Sequence, residues 1–412
     1  MLPKCYRRVR RGYVGTMATN GSYIIAGART PIGKMSGALA SFSAADLGGF
    51  AITEALSSAG VAPEEVDHVI MGQVLMAGQG QVPSRQAATK AGIPMSVPAV
   101  NVNKVCLSGL NSIYLAHQMV AMGDADIVVA GGMESMTNAP YLADGARGGF
   151  RYGNTELRDA IIADGLWCSF DSCLMGLGTE RYAAGAAITR EQQDAVAAAS
   201  NQRAAAAIEA GRFDDEIVTV SVPQRKGDAI IVKHDEGVRG TTTMETLAGM
   251  RPAFDKEGTI TAANASQLSD GASAVIVMSG AAAEQRGVEP LGEFVSYGMV
   301  AGPDNASLLT QPSRAIMQAA DKAGVAVRDL DLFEINEAFA AVGRASIDEL
   351  GISDEIVNVN GGAIALGHPI GMSGNRLALT LLHELRRRGG GIGAAALCGG
   401  GGQGDAIVLR TV

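Results

Sequence analysis

Several things are scarce in this sequence, and each scarcity closes off a class of function. No uninterrupted apolar run approaches the ~18–20 residues that a membrane-spanning helix needs, so a soluble globular chain with no membrane span is expected. Basic residues are outnumbered, with 33 Lys and Arg against 42 Asp and Glu and a formal net charge of −9. That balance leaves no electropositive footprint for nucleic acid over the bulk of the chain. Cysteine is sparse and odd in number, at positions 5, 106, 168, 173 and 398. Thiols spread so thinly do not read as a disulfide framework, and a reducing, cytoplasmic setting with one or more thiols kept for chemistry is expected instead. No C-x-x-C or H-E-x-x-H occurs and Cys168 and Cys173 are poorly spaced for a metal, so no metal site is expected. Aromatics are few, with Phe 9, Tyr 8 and Trp 1, and the 47% apolar content is carried mainly by Ala, Val, Ile, Leu and Met.

Glycine is what the chain has in excess: 54 residues, roughly twice the usual ~7% share. It follows no Gly-X-Y period and clusters beside apolar runs, which points to backbone crowding rather than disorder. Charge is also uneven. Lys4, Arg7, Arg8, Arg10 and Arg11 crowd the start, and no acidic residue precedes Asp46. An arginine-rich, acid-free start resembles an organellar transit peptide but lacks a secretory apolar run; residues 1–17 are read as a basic extension ahead of a start at Met17.

Beyond it, short β-rich runs alternate with helical stretches, the signature of α/β layering. Ser43 is placed to cap a helix carrying Leu47, Phe50, Ala51 and Ala55, with Gly60 past its end. Strands are expected at 66–71, 99–103 and 126–130, with a helix over 108–123 and Gly131-Gly132 closing the unit. The second half repeats this plan. Asn358-Val-Asn360 matches Asn101-Val-Asn103, Ser373-Gly374 echoes Ser108-Gly109, and Gly399-Gly400 stands where Gly131-Gly132 stood, with an added segment at 361–372. Two similar α/β halves facing one crevice are expected. Between them lies an inserted lobe with an Ala-rich helix at 191–210, a Thr189-x-x-Gln192 capping box and Gly211 as its stop. The expected boundaries are 18–137 with 269–289 for the first core, 138–268 for the lobe and 290–412 for the second core.

Two nucleotide motifs fail on context. The stretch 399–404 satisfies G-x-G-x-x-G, but a strand follows it where a phosphate-holding helix must stand. A Walker loop at 27–35 has the wrong spacing and Met35 where Ser or Thr is required. His117 falls on the apolar face of its helix and reads as a satisfied buried histidine; His68, His234 and His383 are equally ordinary. Three residues stand apart. Cys106 lies between a strand and a helix, where the helix end lowers a thiol's pKa; His368 lies at the equivalent junction of the other half, and Cys398 ends a strand at the glycine run. Any one alone reads equally well as a small buried Cys or a turn His; three at matching positions point to one crevice.

These residues fall in four blocks, Asn103-Lys-Val-Cys106-Leu-Ser-Gly-Leu110, Asn336-Glu-Ala-Phe-Ala340, Gly361-Gly-Ala-Ile-Ala-Leu-Gly-His368-Pro-Ile-Gly-Met-Ser-Gly374 and Cys398-Gly-Gly-Gly-Gly-Gln-Gly404. Together they resemble the four signature blocks of thiolases, from about Asn20 to the C-terminus. Ile370 and Ser373 look closer to the acetoacetyl-CoA branch than to the long-chain β-oxidation branch. The resemblance implies a layered α-β-α-β-α fold with an inserted CoA-binding loop domain, and the reversible condensation of two acetyl-CoA to acetoacetyl-CoA and CoA. It gives Cys106 as nucleophile, its thiolate favoured by the helix end and by His368, and Cys398 as the acid/base, a thiol's reference pKa of ~8.5 being close enough to neutrality to cycle. It assigns the enolate to His368 and a water held by Asn336, and the tetrahedral oxyanion to the N–H groups of Cys106 and Gly400. By the same alignment Arg239, Thr246 and Ser266 would contact CoA and Met175 would line the acyl pocket, while Leu174 stands where acetoacetyl-CoA thiolases often carry His. CoA is substrate and product, so no cofactor is implied; acyl-CoA partners and a homodimer or homotetramer are. A 3-ketoacyl-CoA thiolase of β-oxidation, a β-ketoacyl synthase, against which the second Cys argues, and a non-catalytic acyl-CoA binder are the competing readings.

Overall fold

The computed structural model describes residues 21–412; the basic segment 1–17 and Cys5 lie outside them. Among the described residues no helix is long and apolar enough to cross a membrane. The sheet is built from β1 (Ser22–Arg29), β2 (His68–Gly72), β3 (Ala99–Val102), β4 (Ile127–Ser135), β5 (Ser269–Ser279), β6 (Gly292–Ala301), β7 (Leu332–Ile335), β8 (Ile392–Gly399) and β9 (Gln403–Arg410), with the short piece Gly33–Lys34 added on β5. Their order is β7-β8-β9-β6-β1-β5-β4-β2-β3. Outward from the antiparallel β1–β6 seam, where Tyr23 meets Glu293, each half runs first, fifth, fourth, second. The repeat read from the sequence is therefore a repeat of topology.

The halves differ where a third strand is due. β3 pairs parallel with β2, but the matching segment of the second half makes only an isolated bridge from Val357 to Phe333, and Asn358 has φ +45°. The Asn358 amide replaces the strand: its Oδ1 accepts from Ile335 N–H and its Nδ2 donates to Ile335 C=O, both at 2.8 Å. A second difference from the expected pattern is that β4 does not stop at Ala130. It runs through both glycines to Ser135 because β5, far along the chain, pairs with it from Asp270↔Ser135 to Met278↔Ile127. Gly131-Gly132 is thus mid-strand, whereas 399–402 closes a hairpin.

Among the helices, six frame the site: α1 (Ala44–Ala59), α2 (Ser108–Met122), α3 (Arg190–Glu209), α4 (Gln311–Ala323), α5 (Ala340–Leu350) and α6 (Ser373–Arg387). α1 starts at the Ser43–Asp46 capping box and stops at left-handed Gly60, as its sequence dictates. It covers the outer face of the first half, and α4 that of the second. α2 and α6 pack on each other between the halves, where Leu110, Ile113, Leu377 and Leu381 share a core with Ile24, Val128, Leu397 and Ile407. Five layers, α-β-α-β-α, result. α6 is buried on nearly every side, polar Asn375, Arg376 and Thr380 included, and these three are hydrogen-bonded to Ala130 C=O, Glu334 and Glu216. His117 on α2 stacks on Phe294 and bonds Ser22 Oγ at 2.9 Å, an ordinary structural histidine.

Residues 138–268 connect β4 to β5 through small hairpins and helices. Thr189 and Gln192 cap α3 as the capping box requires, and α3 packs on α5 and on the short helix Ala363–Leu366. The segment is anchored to the first half as well: buried Arg29 holds Glu216 at 2.6 Å and Asp235 at 2.7 Å.

Candidate active site

The chain leaves β3 through a tight local turn. Asn103 Oδ1 accepts from Val105 N–H at 3.1 Å, and Ser108 Oγ accepts from Lys104 N–H at 2.8 Å while donating to Val105 C=O at 2.6 Å. These bonds hold Val105 at φ +51°, an unfavourable place for a β-branched residue. The outcome is that Cys106 stands half-exposed just ahead of α2 while Leu107 beside it is buried. The Cys106 N–H and the Gly400 N–H both point at the Cys106 sulfur.

Gly400 belongs to the hairpin turn between β8 and β9, where Gly401 and Gly402 take φ +80° and +67°. Cys398, wholly buried, is the last but one residue of β8 and lies close enough to Cys106 for a thiolate there to disfavour its own ionisation. A Cβ on Gly399 would come within 2.6 Å of Leu107, but one on Gly400 would find only Val105 methyls at 3.4 Å and beyond. Packing therefore demands glycine at 399 and leaves room at 400.

His368 is delivered by the inserted loop of the second half. A Cβ on Gly72, Gly109 or Gly132 would come within 2.8, 2.7 or 2.1 Å of the Gly371 carbonyl oxygen, so three glycines of the first half form the slot that accepts this loop. Within it, His368 Nδ1 lies 2.6 Å from Ser373 Oγ, which donates its own proton to Pro369 C=O at 2.9 Å. Ser373 must then accept from Nδ1–H, which leaves the Nε2 lone pair to accept from Asn336 Nδ2–H at 3.4 Å. Burial, with Arg376 nearby, pulls the imidazole down to about 4, so it is neutral at physiological pH. Asn336 sits beyond β7, its N–H bonded to Ala396 C=O at 2.9 Å, and its buried Oδ1 has no partner.

The N–H groups of Cys106 and Gly400 favour the Cys106 thiolate, but burial outweighs them and pushes the thiol up to about 12, with buried Glu134 adding to the rise. Cys398 is raised by burial as well. The resting pair is a neutral thiol and a neutral imidazole unprotonated at Nε2, so a thiolate is formed only when a base takes the proton.

A cavity of about 430 Å³ opens over these loops, with His368, Ile370, Leu174, Met175, Ser266 and Phe339 in its wall. Ile370, with Val74, Leu75, Met136 and Ile161, forms the apolar cluster against which Cys106 packs, and Met175 and Phe339 pack against the cluster that contains Cys398. Of the expected CoA contacts, Met175 and Ser266 line this cavity. Arg239 is exposed on a small adjoining cleft that shares Ala262 and Gln267 with it, and Thr246 is exposed, its hydroxyl turned back onto Thr243 C=O at 2.8 Å. Two contributors escaped the sequence reading. Glu134 follows the Gly131-Gly132 pair, and a carboxylate continuing an apolar strand was the available signal. Lys104, inside a motif, pairs with buried Asp405 at 2.8 Å, a contact set by folding alone.

Comparison with known proteins places this geometry. Residues 22–281 match the thiolase N-terminal domain model and residues 288–411 the thiolase C-terminal domain model. The chain is 55% identical over 387 residues to a "Probable acetyl-CoA acetyltransferase" of Mycolicibacterium smegmatis, covering 94% of this chain and 100% of that protein. It is 51% identical over 387 residues to an acetyl-CoA acetyltransferase of Cupriavidus necator (94% and 98%) and 51% over 386 residues to one of Pseudomonas aeruginosa (94% and 98%).

Proposed function

The chain belongs to the thiolase family, and we propose that it is an acetyl-CoA acetyltransferase that condenses two acetyl-CoA to acetoacetyl-CoA and CoA, reversibly, through an acyl group on Cys106. The supporting observation is the meeting of Cys106, Cys398 and the Gly400 N–H beside the cavity that His368 lines. In the first step the Cys106 sulfur bonds to the thioester carbonyl carbon as its proton passes to His368 Nε2. The Cys106 and Gly400 N–H groups receive the oxyanion, and the departing CoA sulfur takes the proton of Cys398, which is left as thiolate while His368 keeps the Cys106 proton on Nε2. In the second step the Cys398 thiolate takes an α-proton from a second acetyl-CoA. The enolate oxygen is held by His368 Nε2–H and a water on Asn336, the new carbon–carbon bond forms, and Cys106 leaves as thiolate and recovers its proton from His368 Nε2–H. Coenzyme A lies along the cavity past Met175 and Ser266, with Thr246 and Arg239 toward its outer end. Residues 138–268 act as the CoA-binding loop domain between cores at 18–137 with 269–289 and at 290–412.

Cys398→Ala decides the two-thiol mechanism: labelling of Cys106 by acetyl-CoA is retained and condensation is lost, whereas condensation near the wild-type rate refutes it. Leu174 in the cavity wall favours a second reading, a thiolase for longer 3-ketoacyl-CoA in fatty-acid oxidation. Thiolysis across chain lengths separates the two, a fall in kcat/KM of about a hundredfold beyond four carbons supporting the acetoacetyl substrate. We further propose a cytoplasmic homodimer or homotetramer, which sedimentation of the purified protein tests.

A further inference from the structure

We propose that Glu134 is a positioning residue of this reaction, a buried carboxylate that fixes the His368 loop against the first half and sets its charge against a thiolate at Cys106. The inference rests on reading Cys106 as the nucleophile. Glu134 is fully buried at the end of β4, where an unbonded carboxylate is very costly. It is instead bonded by backbone from two further segments. Its Oε2 accepts from Gly371 N–H at 2.9 Å and Val74 N–H at 3.0 Å, and its Oε1 from Leu75 N–H at 3.0 Å. Gly371 is three residues from His368, and Val74 and Leu75 follow β2 and share a cluster with Ile370 and Cys106. One side chain thus joins β4, the wall beside the nucleophile and the histidine loop.

Its charge faces the reacting thiol. Burial raises Glu134 to about 7, against its three N–H donors and with help from Asp270 on β5. Asp270 is itself occupied by Thr137, at 2.9 Å from its N–H and 2.5 Å from its hydroxyl. The other titratable or charged groups around the site include Cys106, Cys398, His368 and Arg376, the Lys104–Asp405 pair at the Cys106 turn, and Asp159 in the cavity wall. An ionised Glu134 opposes the Cys106 thiolate. The nucleophile therefore stays shielded from stray electrophiles, and its proton is given up as the carbonyl is attacked.

Two substitutions separate position from charge. Glu134→Gln keeps one oxygen for Val74 and Gly371 but removes the charge; Glu134→Asp keeps the charge but withdraws it from the N–H groups. For Glu134→Gln, kcat for acetoacetyl-CoA thiolysis falls about tenfold or more with KM within about threefold, while alkylation of Cys106 by iodoacetamide at about pH 8.5 becomes about threefold faster or more. A loosened site would also bare the thiol, so Glu134→Asp supplies the control, because it withdraws the N–H contacts but keeps the charge. Glu134→Asp returns alkylation to the wild-type rate and leaves kcat low. A folded Glu134→Gln with unchanged or slower alkylation, or with unchanged kcat, overturns the proposal. If Glu134→Gln does not fold, Glu134→Asp decides alone: wild-type kcat or altered alkylation overturns it. Acylation by acetyl-CoA is mapped in the wild type alongside. Its absence from Cys106 refutes the nucleophile reading and this proposal with it, whereas its presence with the negative outcomes above refutes only the role of Glu134.

Discussion

The same strand-to-helix junction is built twice in this protein, and the two copies reach their positions by opposite means. Ahead of α2 the junction is short and self-contained, its strained Val105 held by Asn103 and Ser108 within a few residues. Ahead of α6 it is long and borrowed. The Gly371 carbonyl occupies a slot between Gly72, Gly109 and Gly132 of the other half, and the Gly371 N–H bonds to Glu134 there. Local sequence places the nucleophile; tertiary contact places the histidine. Damage to the slot should therefore disturb the second junction, and through it the meeting of the halves, more than any change within the first.

The largest effect is expected from Gly132→Ala. Its Cβ would sit 2.1 Å from the Gly371 oxygen and 2.7 Å from Met372 Cα, backbone that no rotamer change can move aside. A cost at or above the ~1–3 kcal/mol of ordinary overpacking is expected, together with loss of thiolysis. Chemical denaturation and kcat measured on the same preparation check this, and a variant of wild-type stability would show that the loop is not seated in the slot.

Next in size is Lys104→Met, which cuts the one link from the first junction to the strand after the catalytic hairpin. Asp405 is fully buried and accepts from Lys104 Nζ at 2.8 and 2.9 Å and from Tyr297 Oη–H at 2.9 Å. Leaving it without its cation costs ~3–5 kcal/mol for a wholly buried pair; because the lysine is 23% exposed, about 1–3 kcal/mol is the better expectation. Adding Asp405→Asn should recover part of that loss in urea unfolding, and a double variant no more stable than the single one would deny the pair its structural role.

What could be read from the sequence follows the same divide. α1 was legible to the residue because Ser43, Asp46 and Gly60 act on their own helix, and the topological repeat was legible because each half carries its own strand and helix pattern. The continuation of β4 past Ala130 was not, since its partner strand lies over a hundred residues away. Nor was the loss of a strand at Asn358, whose side-chain amide does the work of a neighbouring backbone. Among the candidate site residues, Cys106, His368 and Cys398 declare themselves by type and junction, whereas Asn336 and Gly400 enter through the resemblance to thiolases. The ionisation of Cys106 did not, because the sign of its shift depends on burial and on Glu134, neither of which a strand-to-helix spacing reveals.

A smaller effect on stability, with a clear one on rate, is expected from Ser373→Ala. The hydroxyl accepts from His368 Nδ1–H, so its removal leaves a buried donor unpaired at ~1–3 kcal/mol and frees the ring to carry its proton on Nε2 instead. That tautomer cannot take a proton from Cys106, and kcat should fall by about 10²-fold, within the usual range for general base catalysis. Activity unchanged in Ser373→Ala would mean that another contact fixes the ring.

The smallest effect on the fold is expected from Gly400→Ala, and here the first junction and its hairpin partner separate most sharply. Its φ is not in the left-handed region and its nearest neighbour would be a Val105 methyl at 3.4 Å, so stability should change by less than ~1 kcal/mol. Gly399→Ala, pressed to 2.6 Å from Leu107, should be distinctly worse. If the Gly400 N–H receives the oxyanion, the new methyl stands where the thioester must approach, and kcat/KM should drop by about tenfold or more, a fraction of the loss on deleting a donor outright. A Gly400→Ala protein that is stable and fully active would remove Gly400 from the oxyanion site and leave the second half contributing only His368, Asn336 and Cys398 to the chemistry.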